Sequence, residues 1–108
     1  DKLLRFIALQ LRDVIGSDGT YSRADTDHFI FCIPYEQEDL IARIQRLCEG
    51  VKNYKLSFEV QLCFGIFLVD ERDMPINMMC DHAEMAKRTI KGSYLQHWAF
   101  YDATMRDT

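Results

Sequence analysis

Glycine and proline are scarce in this sequence, at 5 and 2 of 108 residues. Long disordered stretches are poor in apolar residues, whereas 48% of this chain is hydrophobic and 28% is charged. The composition therefore predicts a globular chain, one domain or part of one, that is long enough to bury a single core.

A long hydrophobic run is also missing. The longest apolar stretch, Leu62–Val69, is interrupted by Gly65, whereas a membrane-spanning helix needs about 20 apolar residues. We therefore expect a strand here and no membrane contact by this segment. The sequence opens at Asp1 and not at methionine, so we interpret it as an excised piece of a parent protein, whose anchoring to a membrane upstream the sequence leaves open.

No cluster of lysine and arginine is present, and the net charge is -4 at pH 7. Sequence-independent binding of nucleic acid needs cations matched to phosphates, so we expect no nucleic-acid partner. A small anionic ligand stays compatible with the sequence, because a local pocket can be positive on an acidic protein.

The cysteines lack the pair spacing of a metal site and lie in separate predicted elements: Cys32, Cys48, Cys63 and Cys80. We interpret them as reduced core residues, and we therefore expect a cytoplasmic location. Asp81 and His82 follow Cys80 directly, but neighbours on a helix point in different directions, so a solvated helix face is the expected role of this trio.

Apolar residues at three- and four-residue intervals predict three amphipathic helices, over about Leu3–Ile15, Leu40–Val51 and Ile76–Ile90, with Gly16, Gly50 and Gly92 near their ends. Apolar alternation predicts a central strand over Phe58–Val69, buried on both sides toward its end, and a short last strand over Trp98–Tyr101. Helices mixed with a mostly antiparallel sheet predict an α+β fold with helices packed on the sheet.

The stretch Gly19–Ile33 is the functional landmark. Runs of β-branched and aromatic residues flank the polar residues 25–27, which predicts a β-hairpin. Asp25, Asp27 and His28 would then lie at its tip, where a sheet can present side chains to a ligand. The alternative is that Asp-Thr-Asp is only turn chemistry and that His28 is a strand residue at the sheet surface.

This hairpin, Arg23-Ala-Asp-Thr-Asp-His-Phe29, resembles the Arg-x-Gly-Gly-Asp-Glu-Phe signature of diguanylate cyclase (GGDEF) domains, which join two GTP into cyclic di-GMP. Asp1-Lys-Leu-Leu resembles the family's Gly-Asp-x-x-Leu helix start. Phe64-Gly-Ile resembles its Ser-x-Gly strand, and Ala86-Lys87 with Lys91-Gly92 resembles its terminal Ala-Lys motif. The resemblance implies a nucleotide-cyclase or ferredoxin-like palm over residues 1–101, without the family's N-terminal strand and first helix, and a linker or exit segment over 102–108.

The resemblance also implies a degenerate catalytic site. Asp25 and Thr26 stand where the family has glycines that let its backbone approach the triphosphate, and His28 replaces the signature glutamate. We therefore expect no catalytic residues in the signature loop Asp25–Phe29, although Asp27 could still bind Mg²⁺ if GTP were bound.

Three further positions match nucleotide-binding residues of the family. Lys87 and Lys91 lie one helical turn apart and match its phosphate-binding cations, although cations also suit the C-terminal turn of any helix. Asp1 matches its guanine-recognising acid. Gly16 and Gly19 occupy the Arg-x-x-Asp positions of its product-inhibition site, so feedback binding there is not expected.

The function that the resemblance implies is a catalytically inactive regulatory or interaction module of bacterial cyclic di-GMP signalling, with an attached EAL phosphodiesterase or sensor domain as partner. One alternative is a GTP-binding sensor that controls an attached EAL domain, and another is an active cyclase with an unusual loop. A homodimer is a further arrangement that the sequence leaves open.

Overall fold

The computed structural model of the chain describes residues 2–25, 28–54, 62–70, 74–90 and 96–107. They belong to two compact units, Asp1–Val60 and Gln61–Thr108, called here the N-terminal and C-terminal units. Among these residues, each unit contains one two-stranded sheet.

The N-terminal unit combines two helices with a hairpin. Helix α1 spans Lys2–Ile15 and α2 spans Gln37–Lys52, while strands β1 (Thr20–Arg23) and β2 (Phe29–Cys32) lie between them in sequence. α1 packs against both α2 and β1. Buried side chains at helical spacing are Ile7, Leu11, Val14 and Ile15 of α1, and Leu40, Ile44, Leu47 and Val51 of α2. Both predicted helices are therefore confirmed, because the residues that define their periodicity are buried.

Helix α2 has an acidic N-cap, as its sequence suggests. The Glu36 carboxylate accepts hydrogen bonds from the backbone N–H groups of Glu38 and Asp39 at 3.2 and 2.7 Å. The predicted end at Gly50 is wrong, since the helix continues through this residue and Asn53 is the C-cap. A glycine inside a helix costs only about 1 kcal/mol relative to alanine, so the buried apolar face can carry the helix past it.

The C-terminal unit is a strand–helix–strand arrangement. β3 (Phe64–Ile66) pairs with β4 (Trp98–Phe100) in parallel, and α3 (Ile76–Arg88) lies between them in sequence. Parallel neighbours cannot be joined by a tight turn, and α3 belongs to the crossover between them. The expectation of a mostly antiparallel sheet is wrong, because the described residues form one antiparallel and one parallel pair.

In the described part of the chain, the strand predicted over residues 58–69 covers only Phe64–Ile66. β3 ends at Ile66, and Leu68 and Val69 are 43% and 51% exposed, so the expected burial on both sides toward its end is wrong. Residues 58–61 lie outside the described part of the chain.

Ile76, with which the predicted third helix begins, is not buried. Its side chain is 76% exposed.

A small core holds the C-terminal unit together. Ala86 and Ile90 are buried with Ala99 of β4, and Cys63, Tyr101 and Met105 pack against them. Met105 lies in a 3₁₀ helix, Ala103–Asp107, within the segment for which the sequence predicted an exit.

Gly65 lets α3 approach β3 more closely than any other residue would. A Cβ built at Gly65 would collide with the backbone carbonyl oxygen of Ala83 and would lie 2.9 Å from the Cβ of Lys87. Backbone atoms of a helix cannot move aside as a flexible side chain can, so this contact requires glycine.

We expect Gly65→Ala to destabilise the C-terminal unit by about 1–3 kcal/mol, the usual cost of overpacking. Urea unfolding followed by far-UV circular dichroism measures the effect, because this signal reports on the helices of both units. Gly50→Ala is the control. Its Cβ would meet only the Oε1 end of the flexible Gln10 side chain, at 2.5 Å, so the change should be neutral or stabilising. Equal effects of the two substitutions would contradict the packing argument.

The α+β class is confirmed by three α-helices and two small sheets among the described residues. None of those helices has the length and apolar character needed to cross a membrane.

Candidate functional site

The predicted hairpin is present and fixes the position of its tip. The strands pair antiparallel and end opposite each other at Arg23 and Phe29. Beyond them, the backbone N–H of Ala24 donates to the carbonyl oxygen of His28 at 2.9 Å, and that of Asp25 reaches the same oxygen at 3.4 Å. The register is Thr20 with Cys32, Tyr21 with Phe31, Ser22 with Ile30, and Arg23 with Phe29.

The structure brings two of the predicted signature-loop residues together. Asp25 and His28 share the closed turn and are both exposed, while Phe29 begins β2 and is half-buried. His28 is thus a turn residue that precedes the strand. Thr26 and Asp27 lie outside the described residues, and with them the predicted metal ligand.

The predicted nucleotide-binding lysine has a local partner. The Nζ of Lys87 lies 2.9 Å from Oε2 of Glu84 on the same helix, and its side chain is 18% exposed. Lys87 belongs to the C-terminal unit and the hairpin to the N-terminal unit. Asp1 and Lys91 lie outside the described residues.

Gly19, at the position of the family's product-inhibition aspartate, has no room for a side chain. A Cβ there would lie 2.5 Å from Cγ2 of Ile33, 2.6 Å from the carbonyl oxygen of Cys32 and 2.9 Å from Cγ2 of Ile15. The close packing of the chain entering β1 against the chain leaving β2 accounts for glycine at this position.

Arg43 of α2 fixes the segment that leads into the hairpin. Its Nη1 donates to the carbonyl oxygen of Ile15 at 3.1 Å, and both Nη atoms donate to the Asp18 carboxylate, at 3.3 and 2.8 Å. Its Nε lies 2.9 Å from Oδ2 of Asp39. The Arg43 side chain is only 13% exposed. One guanidinium therefore satisfies a C-terminal carbonyl of α1 and orients the turn before β1.

These contacts shift the titration of both partners. The hydrogen bonds from Arg43 lower the pKa of Asp18 below its ordinary value of 3.8, and burial opposes this shift only in part. The hydrogen bond to Asp18, helped by that to Asp39, raises the pKa of Arg43, although burial opposes this. The pair is therefore ionised at neutral pH.

We expect Asp18→Asn to weaken the N-terminal unit at pH 7 and to reduce its sensitivity to acid. Because the pKa of Asp18 is lower in the folded state, its stabilising contribution is present above its ordinary value of 3.8 and is lost as the pH falls through the folded value. Urea unfolding followed by far-UV circular dichroism at pH 7 and at about pH 3 measures the difference.

Asp13→Asn is the matched control for this experiment. Asp13 is 68% exposed and its carboxylate lies 3.9 Å from Nε of Arg12, a weak surface pair. Its substitution should leave the acid sensitivity close to that of the unsubstituted chain. If both variants lost the same amount between the two pH values, the special role of the Arg43 contact would be refuted.

Sequence reasoning missed a cavity between α1 and the hairpin. It has a volume of about 280 Å³, and the residues that line it are Leu4, Arg5, Ala8, Tyr21, Arg23 and Phe29. The signal was available, since strand alternation places Tyr21 and Arg23 on one face of β1, and helical spacing places Leu4 and Ala8 on one face of α1. The lining thus combines two arginines and a tyrosine with apolar side chains.

Sequence reasoning also missed a buried aromatic cluster in the C-terminal unit. His82 is 6% exposed, so the predicted solvated face is wrong for this residue, although it holds for Asp81. Its ring stacks on Tyr101 at 4.2 Å and meets Phe67 edge-on at 5.0 Å. His82 lies within the predicted third helix, and its polar character hid its place on the buried face.

The cysteines and possible metal ligands add no second site. Cys32 is exposed and the other three cysteines are half-buried, so a core role is wrong for Cys32. Within the described ranges no three histidine, cysteine or carboxylate residues gather closely enough to hold a metal ion.

Comparison with family models, with curated proteins and with solved structures finds no match to this chain.

Proposed function

We propose that the chain is a degenerate diguanylate cyclase (GGDEF) domain, of the kind found in tandem with EAL domains, which acts as a catalytically inactive regulatory or interaction module in bacterial cyclic di-GMP signalling. The observation that carries the proposal is the β1–β2 hairpin, with Asp25 and His28 in its closed turn. It follows one helix and precedes another, which is the position that the signature hairpin has in the resemblance.

The chemistry of the turn supports the loss of catalysis. A carboxylate at residue 25 stands where a triphosphate would need an uncharged, uncrowded backbone, and like charges at close range repel. His28 replaces a carboxylate, and an imidazole is a poor ligand for Mg²⁺, which prefers oxygen. The substitutions thus oppose both phosphate approach and metal binding.

We expect the intact protein that contains this domain to make no cyclic di-GMP from GTP and Mg²⁺ through it. Chromatography of the reaction products measures this, and an EAL-inactive background prevents removal of any product. Measurable synthesis by the unsubstituted domain would overturn the proposal. The triple variant Asp25→Gly, Thr26→Gly, His28→Glu shows the cause: activity only in this variant assigns the silence to the hairpin, and continued silence means that other parts of the site have also changed.

The GTP-sensor alternative requires phosphate to compete with an existing ion pair, since Nζ of Lys87 already lies 2.9 Å from Glu84. We therefore expect calorimetry with Mg²⁺ and GTP to show no saturable binding. Saturable binding that Lys87→Ala removes would favour the sensor instead. The control is Arg88→Ala, because Arg88 is 68% exposed and its Nε lies 3.9 Å from the same glutamate.

A further inference from the structure

The segment between α1 and β1 contains the residue pair at which aspartate isomerises most readily. Asp18–Gly19 is the only Asp-Gly pair in the sequence, and no Asn-Gly pair is present. The reaction begins when the backbone nitrogen of the following residue attacks the side-chain carboxyl carbon of the aspartate. Glycine hinders this attack least, because it has no Cβ and its backbone adopts the widest range of conformations.

The packing around the hairpin requires glycine at this position. A Cβ at residue 19 would lie 2.5 Å from Cγ2 of Ile33 and 2.6 Å from the carbonyl oxygen of Cys32. A larger residue would slow the reaction, but it would also force the chain entering β1 away from the chain leaving β2. The reactive pair is therefore imposed by the fold.

Asp18 is accessible to water and lies outside regular structure. Helix α1 ends at Ile15 and β1 begins at Thr20, so the pair is part of neither hydrogen-bond ladder. The Asp18 side chain is 49% exposed. Neither backbone hydrogen bonding within an element nor exclusion of water protects this bond, so protection has to come from a side chain.

Arg43 opposes the reaction at its first step. Its two Nη atoms donate to the Asp18 carboxylate at 3.3 and 2.8 Å. Ring closure removes a carboxyl oxygen as water, so it proceeds from the protonated acid and not from the carboxylate. The hydrogen bonds from Arg43 hold the pKa of Asp18 below its ordinary value, so less of the reactive acid is present above that value. The same bonds restrict the side-chain rotation that ring closure requires.

We propose that the Asp18–Gly19 bond is a site of spontaneous isomerisation to isoaspartate and that Arg43 is the residue that restrains it. The lone pair of the Gly19 nitrogen forms a bond to Cγ of Asp18, and the amide proton leaves with the carboxyl hydroxyl as water. Water then opens the resulting succinimide ring. Cleavage of the bond from the nitrogen to the main-chain carbonyl carbon gives isoaspartate, whereas cleavage of its bond to Cγ restores aspartate.

Isomerisation would act directly on the entry to the hairpin. It adds one methylene group to the main chain between α1 and β1, and it moves the negative charge to a different carbon. Arg43 bonds the Ile15 carbonyl at 3.1 Å on one side, and Gly19 is closely packed on the other, so the segment cannot lengthen without losing one of these contacts. The proposal uses no residue of the family signature and is independent of the family assignment.

The test is prolonged incubation of the full chain at about pH 5, where a small fraction of ordinary aspartates is protonated. Trypsin then releases residues 13–23 as one peptide, because Arg12 and Arg23 are its cleavage points. Reversed-phase chromatography separates the aspartyl and isoaspartyl forms, and electron-transfer fragmentation assigns the position. Asp13 is the reference within the same peptide, since the β-branched Val14 follows it and hinders attack. We expect isoaspartate to accumulate at residue 18 and not at residue 13.

Arg43→Gln should accelerate the reaction at residue 18 by about threefold or more, the scale of one half-exposed ion pair. Arg46→Gln is the matched control, because Arg46 is on the same helix and exposed, and it should leave the rate unchanged. If Arg43→Gln loses the far-UV spectrum of the folded chain, Arg43→Lys replaces it. The single ammonium group of lysine keeps the charge but not the paired Nη bonds, so a smaller acceleration is expected.

Ile44→Val controls for a general loss of stability. Ile44 is fully buried in the same helix, so the substitution weakens the core and leaves Arg43 in place. Urea is added to this variant until its free energy of unfolding equals that of the variant at residue 43. At equal stability, the variant at residue 43 should still react faster at residue 18.

Three results would overturn the proposal. They are no more isoaspartate at residue 18 than at residue 13, equal rates for the substitutions at residues 43 and 46, and equal rates for those at residues 43 and 44 at matched stability. The first would show that the bond is not a site of isomerisation, and the other two would show that Arg43 does not restrain it.

Discussion

The N-terminal unit depends on one guanidinium. Arg43 lies in the middle of α2, yet it contacts the end of α1 through the Ile15 carbonyl, the following turn through Asp18, and its own helix through Asp39. The hydrophobic contacts between α1 and α2 are not directional, so they leave the exit of α1 and the entry of β1 undefined. The planar guanidinium of Arg43 fixes these two chain directions through its hydrogen bonds. A lysine has a single ammonium group and could not bond the carbonyl and the carboxylates of Asp18 and Asp39 in the same geometry.

The close approach of α3 to β3 determines how the C-terminal unit packs. Gly65 has no side chain, so the backbone of α3 at Ala83 lies directly against β3. The neighbouring residue His82 is brought against Phe67 and Tyr101 as a result. A polar ring becomes part of an aromatic cluster because of where the helix lies, and Gly65, two residues before Phe67, allows the helix to lie there.

Local patterns in the sequence predicted the local structure well. The three helices and the hairpin are each defined by contacts within a short segment, and side-chain period and turn chemistry report directly on such contacts. The parallel pairing of Phe64 with Trp98 joins residues far apart in sequence, and no local pattern specifies it. The prediction that α2 ends at Gly50 failed for a related reason. Packing of α2 against α1 outweighs the low helix propensity of one glycine.

In the candidate site, too, local sequence patterns specify some features and packing between distant elements specifies others. The tip was predictable because turn residues are local. The periods of α1 and β1 show which lining residues share a face, but the cavity itself exists only once α1 packs on β1, and no local pattern specifies that contact. The two features also have opposite electrostatic character. Asp25 at the turn is acidic, whereas the described lining of the cavity has two guanidinium groups, Arg5 and Arg23, and no carboxylate. Like charges repel and opposite charges attract at close range, so an anion meets a different field at each of these two surfaces.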